Sequence, residues 1–96
     1  MGITRADAEA IARRELQTLQ GDTVEVAILE EHTREHDLGW TFYYESRRFL
    51  ETGNPSDRLA GNAPLVVDRH GHVHWLRTSA PPDVGLAELR AELNRT

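Results

Sequence analysis

The sequence predicts an α+β fold: an N-terminal helix, a four-stranded antiparallel sheet and a C-terminal helix, with both helices packed on one face. Three observations predict it. The apolar period is close to 3.6 over the first twenty residues and then changes to 2. The strand-like runs that follow are consecutive and joined by short connections, the pattern of an antiparallel sheet. The run Ala80-Pro81-Pro82-Asp83 then ends the alternation and opens a second helical stretch. A chain of 96 residues suits a single domain, residues 1–96.

The first helix begins at a capping box, Thr4 with Asp7, and a staple of Ile3 on Ala8. Ala8, Ile11, Ala12, Leu16 and Leu19 form its apolar stripe, and Gly21 ends it. Thr23 to Ile28 alternates as a strand, with Val24, Val26 and Ile28 on one face. Glu30 to Asp37 is too charged for a core and reads as a frayed strand end and a loop. Trp40 to Ser46 is the second strand. Trp40, Phe42 and Tyr44 share one face, which predicts Trp40 and Phe42 buried against Ile11, Leu16 and a leucine of the C-terminal helix. Glu51 to Asn62 reads as one long loop with a helical turn near Asp57 to Ala60. Leu65-Val66-Val67 and His72 to Thr78 form a hairpin whose turn places Gly71 at a left-handed position. Leu86, Ala87, Leu89 and Leu93 give the last helix its short apolar face.

Composition excludes more functions than it proposes. There is no cysteine, so disulfides, thiol nucleophiles and thiolate metal sites are absent. All eleven basic residues are arginine against sixteen acidic ones, a net charge of −5. Lysine Schiff-base chemistry and a P-loop are therefore excluded, and a basic surface for nucleic acid is not expected. No apolar run approaches the roughly 20 residues of a membrane helix. The N-terminus turns polar at once, so no secretory signal is expected and the cytoplasm is the expected location.

No catalytic set emerges: there is no Gly-x-Ser-x-Gly, and no carboxylate lies in an apolar pocket pattern. His72 and His74 share a strand face, and His32 and His36 are spaced by four. These four are what a metal site would use, but no carboxylate–histidine pattern closes a ligand set, so no metal or cofactor is expected. The remaining reading is recognition. Tyr43 lies on the strand face opposite Trp40, Arg47 and Arg48 follow it, and Glu30, Glu31, Glu35 and Asp37 supply acidic charge. These seven are the candidate partner-binding residues; a protein of this charge is steered toward a basic protein partner. Either edge of the sheet could also pair with a second copy to give a homodimer.

Several of these segments carry a resemblance. Gly39-Trp40-Thr41-Phe42-Tyr43-Tyr44-Glu45-Ser46, then Leu59-Ala60-Gly61-Asn62-Ala63-Pro64-Leu65-Val66-Val67-Asp68, then Gly71, Thr78 and the proline entry to the last helix resemble the YrhB-like family, also known as the immunity protein 35 family. The resemblance spans nearly the whole chain. It implies a small α+β bacterial protein without catalytic residues that neutralises a cognate polymorphic toxin by direct binding. For stand-alone relatives it implies a chaperone-like role in stabilising other proteins. Trp40, Phe42, Gly61, Asn62, Pro64 and Gly71 are its structural motif positions.

Overall fold

A computed structural model describes residues 2–20, 25–57 and 63–94. The helix α1 spans Arg5–Gln20. Its capping box is formed as expected: the Thr4 amide donates to Asp7 Oδ2 at 3.1 Å and the Asp7 amide to Thr4 Oγ1 at 3.2 Å. The strands are β1 (Val26–Ile28), β2 (Arg34–Glu35), β3 (Gly39–Phe42), β4 (Tyr44–Ser46), β5 (Leu65–Asp68) and β6 (Val73–Trp75). Two more helices complete the order, α2 (Arg47–Thr52) between β4 and β5, and α3 (Pro82–Leu93) at the end.

The expected single four-stranded sheet is corrected. The strands form two antiparallel sheets, β1-β4 and β2-β3-β5-β6. The aromatic run Trp40 to Ser46 is not one strand: it changes partners at Tyr43. Before Tyr43 it pairs with β2 and β5; after it, with β1. Opposite the break, a 3₁₀ turn over Glu30–His32 interrupts the neighbouring run. The Leu29 amide donates to the Tyr43 carbonyl at 2.7 Å and bridges the two ladders. The charged stretch read as a loop thus contains a strand, β2, held by pairing rather than by apolar side chains.

The helices lie on opposite faces, not on one. Leu65 and Val67 join Ala8, Ala12 and Leu16 of α1 in a core with Ile28, Trp40, Phe42 and Tyr44. Val66, between them on β5, points the other way and packs with Leu76 and with Leu89 of α3. A strand buried on both faces needs no polar side, and every residue of β5 is buried. Trp40 and Phe42 are buried against the α1 side as expected, at 2% and 1% exposure, but the α3 leucine belongs to the other layer.

Local chemistry explains the remaining elements. Ser46 caps α2 by accepting from the Phe49 amide at 3.0 Å, and Gly53 closes it at φ 69°. Gly39 has φ 153°, and a side chain there would collide with the Val67 carbonyl, so only glycine lets β3 and β5 approach. Gly71 occupies the left-handed position expected of it, φ 90°, in the β5–β6 turn. Gly21, Gly61 and Asn62 lie outside the described residues, as does the helical turn expected near Asp57 to Ala60 beyond Asp57, which itself ends a 3₁₀ turn over Pro55–Asp57. No helix among the described residues is long and apolar enough to cross a membrane.

Candidate partner-binding surface

The break at Tyr43 produces a surface feature that combines an aromatic ring, an apolar side chain and cationic groups. Between β1 and β2 the chain makes its 3₁₀ turn, closed by His32 N–H to Leu29 O at 2.9 Å and Thr33 N–H to Glu30 O at 3.2 Å. The turn exposes Glu30, Glu31 and His32. Beside it Leu29, His32, Arg34 and Tyr43 line a shallow cleft of about 310 Å³. Arg34 is fixed at one end: its Nη1 donates to Glu31 O at 3.1 Å and Thr33 O at 3.2 Å. Its other N–H groups have no partner among the described residues. A guanidinium held this way loses little further entropy when a ligand engages the free fork.

The seven candidate residues do not gather on one face. Tyr43 lines the cleft, and Glu30 and Glu31 lie in the adjoining 3₁₀ turn. Glu30 also meets Arg13 Nη2 at 3.4 Å, and Arg13 holds Glu9 at 2.9 Å. A hydrogen bond with Glu9, and then its charge, push the Glu30 carboxyl above its usual value. Glu35 pairs with Arg69 at 3.0 Å. Asp37 forms a two-pronged pair with Arg90 of α3, at 2.7 and 2.9 Å. That hydrogen bonding from Arg90, acting against burial, lowers the Asp37 carboxyl to about 2. Arg47 pairs with Glu25 at 2.9 Å at the far end of the β1–β4 ladder, with Arg48 next to it on α2. Much of the acidic charge counted in the sequence is thus spent on internal pairs. Leu29 and Arg34 escaped the sequence reading. The available signal was Arg34 standing as a cation inside an otherwise acidic and histidine-rich stretch.

The histidines divide. His36 Nε2 bonds Thr41 Oγ1 at 2.7 Å beneath the β2–β3 turn, while His32 is on the cleft. His72 and His74 approach the same buried carboxylate, Asp68, whose Oδ2 lies 3.5 Å from His72 Nδ1 and 2.9 Å from His74 Nε2. Asp68 Oδ1 accepts from the His70 and His72 amides at 2.8 and 3.0 Å, so this carboxylate ties the hairpin turn together. Burial works to raise the Asp68 pKa, but the bonds from His74 and the His72 and His70 amides outweigh it and leave it lowered. Among the described residues no group of three or more His, Asp or Glu is arranged to hold a metal ion.

These features define a small α+β protein with a shallow cleft at the junction of two antiparallel sheets. The chain belongs to the immunity protein 35 family, whose family model matches residues 6–92. Over 44 residues it is 52% identical to the uncharacterized protein YrhB of Escherichia coli (strain K12), a stretch covering 45% of this chain and 47% of that protein. The match therefore spans about half the length of the curated relative. No solved structure matches the chain.

Proposed function

We propose that the chain is an immunity protein that neutralises a cognate toxin by binding it directly, with the Tyr43 cleft at the centre of the contact and no chemistry of its own. Membership of the family over residues 6–92 is the observation that carries this reading. The cleft supports the location. Tyr and Arg are enriched among residues that dominate binding energy, and here both line the cleft with an apolar side chain, Leu29. Glu30 and Glu31 are exposed in the adjoining turn, and with the net charge of −5 they favour approach of a basic toxin domain.

The test is co-expression with the toxin encoded beside the gene. Growth should be rescued and a complex should survive gel filtration. Tyr43→Ala and Arg34→Ala should each weaken that complex about tenfold or more while leaving the melting curve unchanged. A toxin that stays lethal with no complex formed would sink the reading. Protection of unrelated aggregating clients in its place would assign the chaperone-like role.

A further inference from the structure

We infer that the outer edge of β6 is a self-association edge, to which a second copy of the chain adds its own β6 antiparallel about a two-fold axis at His74. The backbone alternation is the first argument. Asp68 N–H donates to His72 O and Leu76 N–H to Pro64 O, both at 2.9 Å, and His74 is registered opposite Val66. The N–H and C=O groups of His72, His74 and Leu76 therefore turn inward to β5. Those of Val73 and Trp75 turn outward and meet no partner among the described residues.

The two edges of the four-stranded sheet differ in how they are protected. β2 is two residues long, both charged and exposed, and follows a 3₁₀ turn; such an edge resists pairing. β6 carries no Arg, Asp, Glu or Pro from His72 to Leu76 and ends on Trp75, which is 39% exposed. Trp75 is also held: its ring meets Tyr44 edge-on, with centroids 6.3 Å apart.

Self-complementarity selects a second copy as the occupant. The outward residues, Val73 and Trp75, flank His74 symmetrically. A two-fold axis there pairs Val73 with Trp75 of the other copy and the reverse, giving about four new backbone hydrogen bonds. On the α1 side each exposed indole then covers the other copy's half-buried Val73. On the other side the two His74 rings face each other, each already bonded to its own Asp68. Interfaces of this symmetric kind dominate homo-oligomers. A three-residue ladder is short, so the dimer belongs to the weak class and forms at high concentration.

Sedimentation of the whole chain over a wide concentration range tests the inference. The apparent mass should rise toward double, and quenching of Trp75 fluorescence by a soluble quencher should fall in parallel, Trp40 being buried. Trp75→Lys should keep the chain monomeric throughout with unchanged circular dichroism. His74→Cys tests the register. The chain has no cysteine of its own, and residues facing across a non-hydrogen-bonded pair lie about 4.5 Å apart at Cα, within disulfide range. Oxidation should therefore link His74→Cys into a covalent dimer and leave Arg77→Cys largely monomeric. A wild-type chain monomeric at every concentration overturns the inference. So does a dimer that survives Trp75→Lys, or one that His74→Cys fails to trap.

Discussion

The two faces of the sheet are built differently. On the α1 face, nine buried residues among those described form one continuous apolar cluster from Ala8 to Val67. On the α3 face the buried cluster among the described residues is Val66, Leu76 and Leu89, with Leu38, Leu86 and Leu93 packed around it. The rest of that face is polar. Thr41 and His36 share a hydrogen bond, Asp68 holds the hairpin turn, and Arg90–Asp37 and Arg77–Glu88 pin α3 at its flanks. Apolar burial scales with area and is indifferent to geometry. Polar and ionic contacts add little net stability but fix orientation, and surface pairs are screened by salt. The α1 face therefore carries most of the folding energy, and the α3 face places one helix against a sheet that is already formed.

Truncation on each face probes this contrast most strongly. Phe42→Ala should cost about 3–5 kcal/mol, because it empties the centre of the large cluster where neighbours cannot collapse. For a domain with about 5–15 kcal/mol in total, that is close to unfolding. Leu89→Ala removes a residue at the margin of the small cluster, 8% exposed, and should cost about 2 kcal/mol, the lower end for such changes. Denaturant unfolding of both variants checks the pair. Equal costs would mean that the two layers act as one core and would break the comparison.

The sequence made one face legible and hid the other. Trp40, Phe42 and Tyr44 alternate with polar neighbours, so their face could be read from period alone. Leu65-Val66-Val67 is a continuous apolar run, the pattern of a strand covered on both sides, and it was the available sign that α3 would not share the α1 face. β2 left no such mark: Arg34 and Glu35 are charged and exposed, and they form a strand because the buried β3 offers them a ladder. α2 is six residues long, too short for a periodic stripe, yet its cap residues Ser46 and Gly53 were in plain view. The cleft was the least legible part. It exists because the chain breaks at Tyr43 opposite the 3₁₀ turn, and no residue pattern on either strand announces a change of partner.

The smallest expected effect is one of pH, and on the α3 face it runs through His36, Asp68 and Asp37. Burial lowers the His36 pKa below 6.5; Arg90 and Arg69 reinforce the shift against Asp37 and Glu35. Its Nδ1 is buried with no hydrogen-bond partner among the described residues, so a proton there would gain nothing. A group whose folded pKa is depressed stabilises the fold fully above its unfolded value, and that contribution is lost as pH falls through the folded value. Stability should therefore begin to decline as pH drops below 6.5, the unfolded value of His36. Asp68 and Asp37 follow the same sign from 3.8 downward, Asp37 toward about 2. Denaturant midpoints across pH should show these two windows. His36→Gln, which keeps an amide within reach of Thr41 but does not titrate, should flatten the upper window and leave the lower one. High salt should shrink the Asp37 part of the lower window, since the Arg90–Asp37 pair is exposed, and should spare the part due to Asp68, whose side chain is 9% exposed. An upper window unchanged in His36→Gln would mean that the polar layer beneath α3 does not report on the fold.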